Sequence, residues 1–344
     1  MHNFVGMDVT FKENGTLEIL MKDYIKECFE AFGEPVDRAA NTPGKHHLFE
    51  VGEDHPLNED KMDVFHHIVT KLLYVSKRAR VDIDLVISYL CTRVSCSTTG
   101  DWEKLRRLLH YLHGTIDMPR VIGAGEGMNI LQTYVDASYA IHSDMKGHTG
   151  GLMTMGLGII QGKATKQKLN AKSSTEAELI GASDYVPWTV WVKWFLKEQG
   201  YTLKRSIFYQ DNQSAMKMES NGMKSAGNKS RHISIRYFFI KDILKREGIE
   251  LLHCPTERMI ADFYTKPLQG SLFKKMREIV MGLAPFPDEE RVSLVDSMKR
   301  LTSEKCARNE NSSTGNINLD VSYADAVRNN NPKGESAREP CRDK

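Results

Sequence analysis

The stretch "ILQTYVDASYA", residues 130–140, is apolar and alternating, and it places one acid, Asp136, where the apolar run gives out. Alternation of this kind marks a strand with a face in a core. A charge at its end is either a solvated terminus or a placed ligand, and taken alone Asp136 reads as the former. What decides between the two is what the rest of the chain brings to the same point.

Working outward, "TGGLMTMGLGII" and "GKATKQKL" read as two further strands joined by glycine-rich turns. A long helical stretch follows from Ser174 to Gly200, in which Pro187 is expected to kink or split the helix. Then come the strand "SIFYQD", a helix from Asn212, the helix "ISIRYFFIKDILKREG", the strand "IELLHCP" and a last helix around "MIADFYTKPL". The order β-β-β-α-β-α-α-β-α over residues 123–283 predicts an α/β domain, a mixed five-stranded sheet flanked by helices.

Residues 1–122 differ in character. "FVGMDVTFKENGTLEIL" reads as strand–turn–strand, followed by the helix "MKDYIKECFEAF" and a loop containing "NTPGKHH". In "FHHIVTKLLYVSKRAR", Ile68, Leu72, Leu73 and Val75 have spacings compatible with one helical face, and "DIDLVISYLCTRVSC" continues from it. "DWEKLRRLLHYLHGT" opens on Asp101, suited to N-capping, and stops at Gly114. The expectation is a small, mainly helical unit. Residues 284–344 are polar and are expected to be disordered. Within them "VSYADAVR" is similar to a polymerase metal motif but lacks the second adjacent aspartate.

A net charge of +2 confines any polyanion-binding surface to a local patch. The six cysteines form no CxxC pair, so neither a zinc ribbon nor a disulfide framework is expected, and reducing surroundings fit better. No apolar run approaches the ~18 residues of a membrane span, and "MHNFVGMDVTF" has neither a basic nor an apolar leader region. The composition is that of a soluble cytosolic or nuclear protein.

Hydrolysis of a phosphodiester with two divalent ions needs carboxylates from rigid elements, and neither His nor Cys. Four acids stand in suitable places: Asp136 ending the first strand, Glu178 in the first turn of the long helix, Asp211 ending the fourth strand, and Asp262 in the last helix. If strands one and four are neighbours, Asp136 and Asp211 lie side by side, with Glu178 and Asp262 reaching in from helices. Each has an ordinary alternative as helix cap, dipole partner or solvated charge. The set, in the order strand–helix–strand–helix, favours a metal site.

The motifs "YVDASYA", "HTGGLMTMG", "KQKLNAKSSTEAELIGASD", "YQDNQSAMKM", "KSRHISIRYFFIKD" and "CPTERMIADFYTKPLQG" resemble the ribonuclease H domain of copia-type LTR retrotransposon Pol polyproteins. That resemblance implies a ribonuclease H-like fold and a metal-dependent endonuclease that hydrolyses the RNA strand of RNA–DNA hybrids. It assigns Asp136, Glu178, Asp211 and Asp262 to two Mg²⁺ or Mn²⁺ ions, with Asp136 bridging, and selects Glu178 over Glu176 as ligand, leaving Glu176 solvated. "NFVGMDVTF", "TPGKHHLF", "FHHIVTKLLYVSKRARVDI" and "DWEKLRRLLHYLHGT" resemble the end of the reverse transcriptase, its thumb and connection, without the polymerase active site. The whole looks like the C-terminal fragment of such a Pol, whose palm, fingers and integrase are the implied partners and whose cytoplasmic virus-like particle, or the nucleus, is the implied location.

For the hybrid's phosphates the candidates are Lys163, Lys166, Lys168, Lys172, Ser173, Ser174 and Asn212, expected beside the metals, together with Arg231 and His232. Lys229 and Arg236 add basic charge. His253 is the nearest candidate for a histidine aiding product release, although it falls on a strand. His142 and His148 fit no metal motif, and Trp188, Trp191 and Trp194 at helical spacing suggest a core or interdomain face. The competing readings are a catalytically idle nucleic-acid-binding or interaction module, and an integrase-like nuclease, which "SSTEAEL" and "ADFYTKP" disfavour.

Overall fold

The computed structural model describes residues 2–123, 127–221 and 231–286. Cys306, Cys341, the "VSYADAVR" stretch, Lys229 and the side chains of Arg231 and His232 lie outside the described residues. Strands β1 (His2–Phe4), β2 (Met7–Phe11) and β3 (Leu17–Leu20) form an antiparallel meander. The expected strand–turn–strand carries a third strand because Val5 and Gly6, at φ 52° and 76°, add a reversal ahead of the "KENG" turn. Helices α1 (Lys22–Phe32), α2 (Glu59–Ser76), α3 (Asp84–Cys91) and α4 (Thr99–Gly114) follow, and β4 (Arg120–Ile122) returns to pair with β3.

Two local expectations change here. Ile68, Leu72 and Val75 are buried on α2, but Leu73 is 37% exposed and lies off their face. The cap of α4 is Thr98, whose hydroxyl accepts from the Asp101 amide while Asp101 returns a carboxylate to Thr98. Asp101 is thus the third helical residue, the reciprocal partner of Thr98 in a capping box.

The second sheet contains β5 (Ile130–Ser138), β6 (His148–Thr154), β7 (Ile159–Lys166), β8 (Arg205–Gln210) and β9 (Glu250–His253), in the order β7-β6-β5-β8-β9. The first three strands pair antiparallel, and β8 and β9 add in parallel. Helices α5 (Ser174–Glu198), α6 (Gln213–Asn221) and α7 (Arg231–Glu247) fill the crossovers. This is the ribonuclease H-like α/β fold expected from the sequence.

Pro187 does not split α5, which runs unbroken because it is anchored on both sides of the proline. Val186 and Val190 are buried against the sheet, and the Thr189 hydroxyl meets that of Thr133 at 3.1 Å. The last expected helix is instead a 3-10 turn, Ile260–Tyr264, followed by α8 (Gly270–Val280).

One face of the second sheet packs on α5 and α7 through Leu131, Val135, Met153, Tyr185, Phe208 and Ile240. The other face, with Tyr134, Leu152, Ile207 and Tyr209, belongs to the same continuous apolar core as Phe65, Ile83 and Leu108 of the N-terminal helices. Polar ties cross that core. Buried Asp84 accepts from Lys77 Nζ at 2.7 Å and from the Ala164 amide of β7 at 2.9 Å. Fully buried Arg120 donates only to backbone carbonyls, those of Arg78, Ile159 and Ile160, and burial lowers its pKa to about 10.

Replacing Asp84 by Asn should lower the unfolding free energy by about 1–3 kcal/mol. Because the core is shared, tryptophan fluorescence and far-UV circular dichroism should report one coincident urea transition. Separate transitions would show that the two sheets unfold independently.

Candidate metal centre

Parallel pairing of β5 with β8 sets Tyr134 opposite Tyr209, so Asp136 and Asp211, each two residues further on, lie at the same end of that pair. Asp136 does not end its strand as expected, since β5 continues to Ser138 against β6, whereas Asp211 lies just past β8. Asp136 is buried. Asp211 is kept for the site because its neighbour does the capping: Asn212 Oδ1 accepts from the amides of Ser214 and Ala215, both at 3.0 Å. Glu178 comes from α5, in its second turn and not its first, since Ser173 is the N-cap and Ser174 the first helical residue. The Ala137 amide, next to Asp136, donates to the Glu178 carboxylate.

Asp136, Glu178 and Asp211 each offer an oxygen within 4.8 Å of the other two. Among the described residues theirs is the only such grouping of metal-ligating side chains. Glu178 Oε2 is buried and has no hydrogen-bond partner. Burial, then Asp136, then Asp211, raise the Glu178 pKa well above the ordinary carboxylate range. Burial and Asp136 likewise raise Asp211, against a pull from Lys266. An all-oxygen set with an orphaned buried acceptor and mutual repulsion suits a hard divalent cation.

Asp262 stands beside this trio and outside its mutual contact set. Burial and the adjacent Asp136 push its pKa up to about 7, and Lys266 Nζ at 2.7 Å opposes the shift. It is delivered by the 3-10 turn, whose backbone lies against the sheet only because Gly150 faces Asp136 across β5 and β6. A Cβ on Gly150 would sit 2.7 Å from Thr265 Cγ2 and 2.8 Å from Tyr264 Cβ. That close approach lets the Thr265 hydroxyl donate to Asp136. Gly150, Thr265 and Lys266 were not singled out in the sequence. "TGG" reads there as turn and strand, and nothing local ties it to "YTKP".

Other expectations need revision. Glu176 is not solvated: it is buried, and its Oε2 accepts from the Lys172 amide at 2.9 Å, closing the start of α5. Ser173 is occupied as the cap. Lys163 is not beside the acids. Its strand partner Gly151 would run a Cβ into the Tyr185 ring of α5, so Lys163 faces α5, on the opposite side of the sheet from Asp136. There its Nζ lies 5.2 Å from the Trp188 ring. Lys166 pairs with Asp144 at 2.9 Å, Arg236 pairs with Asp184 at 2.8 Å, and both line a cavity of about 420 Å³ with Lys163 and Lys168.

His142 and His148 are buried in contact, Nε2 to Nδ1 at 3.1 Å, and burial depresses both pKa values, to about 4 and about 3. His253 is exposed at the end of β9. Trp188, Trp191 and Trp194 do not form a core: they are 40%, 57% and 52% exposed, because Val186, Thr189 and Val190 take the inner face of α5. A buried acid that the sequence did not flag is Glu219 on α6. Neither of its oxygens has hydrogen-bond geometry to a partner, and burial raises its pKa to about 7, only partly offset by the nearby Gln210 amide.

Two measurements follow from this geometry. Thr265→Val removes the hydroxyl that holds Asp136 and should weaken Mn²⁺ binding in a calorimetric titration by about 10- to 100-fold. Unchanged affinity would deny that role. Glu219 titrates near 4.5 when unfolded and near 7 when folded, so the folded state binds the extra proton. Its stabilising neutral form is complete below about pH 4.5 and lost as pH rises through about 7. Glu219→Gln should therefore change stability little at about pH 4 and raise it at about pH 8 by roughly 3 kcal/mol. Equal gain at both pH values would reject the assignment.

No family model matches the chain. Over 270 residues, 77% of its length, it is 30% identical to the Retrovirus-related Pol polyprotein from transposon TNT 1-94 of Nicotiana tabacum. It is 29% identical over 60% of its length to that from transposon RE2 of Arabidopsis thaliana, and 22% identical over 79% to the Transposon Ty1-BR Gag-Pol polyprotein of Saccharomyces cerevisiae. It spans only 20%, 14% and 16% of these relatives. Among solved structures, the N-terminal ribonuclease H domain from Mycobacterium tuberculosis overlays with a TM-score of 0.30 at 10% identity, covering 40% of this chain and 90% of that one. A ribonuclease H1 solved in complex with an RNA/DNA hybrid overlays with a TM-score of 0.28 at 10% identity, covering 38% of this chain and 88% of that one.

Proposed function

Since the chain belongs to the copia-type retrotransposon Pol family, we propose that its second sheet carries a ribonuclease H that hydrolyses the RNA strand of RNA–DNA hybrids during reverse transcription. The observation that supports this reading is the convergence of Asp136, Glu178 and Asp211, from two parallel strands and a helix, with Asp262 alongside. Residues 1–122 would be the thumb and connection of the reverse transcriptase, and the partners would be the hybrid and the remaining Pol domains.

Asp136 is the shared carboxylate, adjoining Glu178 and Asp211 on one hand and Asp262 on the other. It would bridge two Mg²⁺ or Mn²⁺ ions, with Glu178 and Asp211 completing the clamp and Asp262 on the water side. Bound ions would supply the charge that lowers the pKa of the attacking water and stabilises the leaving 3′ oxygen. Thr265 fixes the rotamer of Asp136. Glu178 and Asp262, whose raised pKa values favour protonation in a cation-free site, give up protons when the site is loaded, so cation affinity falls as the medium is acidified through about pH 7. Water attack at phosphorus then breaks the bond to the 3′ oxygen, leaving a 3′-hydroxyl and a 5′-phosphate.

The purified protein incubated with a labelled RNA–DNA hybrid should cut the RNA strand in Mg²⁺ or Mn²⁺ and stop in chelator. Asp136→Asn should reduce the rate at least about 1,000-fold, as loss of a group stabilising transition-state charge does. Binding without cleavage by the unaltered protein would reject the enzyme, and equal cleavage by both would reject Asp136.

A further inference from the structure

A cavity of about 490 Å³ opens between α4 and the 38–54 loop, in the N-terminal part of the chain and apart from the carboxylates. Its wall is cationic, and the cations that matter have no counter-charge. Arg107 is half-buried and pairs with no acid: one guanidinium nitrogen donates to Thr42 Oγ1 at 2.9 Å, and its Nε is shielded from solvent without a partner. Arg38 and Lys45 on the same wall make no ion pair among the described residues. The adjacent Arg106 shows the contrast, clamped by Glu34 and Glu103. The lining acids Glu50 and Asp54 pair with none of these cations. Burial alone lowers the Arg107 pKa, the mark of a guanidinium desolvated without compensation.

We propose that this cavity is a second anion site, in which Arg107, Arg38 and Lys45 take up a phosphate group. A phosphate presents the clustered acceptor oxygens that a guanidinium fork matches, and the volume suits one nucleotide unit. Two sources carry that chemistry, the backbone of a hybrid and a free nucleotide. The hydrogen bonding favours the backbone. Thr42 Oγ1 also meets Gln269 Oε1 at 3.1 Å, and Gln269 Nε2 donates to Gly44 at 3.0 Å. Gln269 lies three residues beyond Lys266, so the cavity wall is bonded to the segment that brings Asp262 and Thr265 to the acids. As to source, the inference rests on the hybrid reading; the site itself does not.

The test compares the unaltered protein with Arg107→Gln and with the double variant Arg38→Gln/Lys45→Gln, whose side chains are not part of the packed core. Near-UV circular dichroism checks the fold, and the double variant decides if Arg107→Gln fails to fold. Binding of a fluorescein-labelled RNA–DNA hybrid is read by anisotropy in chelator, over a range of salt. Inorganic phosphate and a deoxynucleoside monophosphate are titrated by phosphorus NMR. Each variant should weaken hybrid binding about threefold to tenfold and flatten the plot of log affinity against log salt by about one unit per lost contact. If the monophosphate binds, and only its binding falls in the variants, the site stands with a free nucleotide as its ligand. If the unaltered protein binds monophosphate but no hybrid, the site stands and the ribonuclease reading falls. Hybrid and phosphate affinities both unchanged in the variants would overturn the site and leave that reading intact.

Discussion

Three carboxylates gathered within 4.8 Å, two of them buried and Asp211 partly so, repel one another, and the fold must hold them there by force of packing. The parallel β5–β8 pair fixes two of them at one sheet end. The capped start of α5 fixes the third, and the Ala137 amide offsets a little of its charge. Gly150 admits the 3-10 turn whose Thr265 and Lys266 hold Asp136 and Asp262. Nearly every feature around the site either enforces proximity or relieves its electrostatic strain, and a divalent cation relieves it most directly.

The packing that supplies this force is two-sided. Helices α5 and α7 cover one face of the second sheet, and the N-terminal helices cover the other in a core continuous with their own. The shared interior also buries polar groups, and two of them tie its parts together, although the Arg120 Nε itself has no partner. Arg120, with no acid within reach, is held by three carbonyls, and Asp84 joins α2, α3 and β7. Such networks fix position because each unmade bond in a dry interior is expensive.

What the sequence made legible was whatever depends on local periodicity. The strand bearing Asp136, though it runs on to Ser138, the strand before Asp211 and the helix bearing Glu178 all follow from alternation, turn residues and caps. The failures share a cause. Pro187 breaks a helix by its own preference, but burial on both sides of it prevails. Leu73 was placed by spacing and Glu176 by resemblance, and the first turned to solvent while the second was drawn into the start of its helix. Lys163 is near Glu178 in sequence, yet strand alternation sends it through the sheet. Gly150, Thr265 and Glu219 carry no local signal, because their significance lies in which distant atom each one meets.

The shared core also bears on how the chain can be divided. Composition places a boundary near residue 122, and the eye would cut there to obtain the half with the acidic cluster alone. That cut would strip the covering from Tyr134, Leu152, Ile207 and Tyr209 and leave Arg120 on the wrong side of it. The isolated half would present a raw apolar sheet face to water, a surface that invites self-association. The N-terminal helices therefore act toward the second sheet as a built-in solubilising partner, and a handleable piece carrying the three carboxylates must keep them.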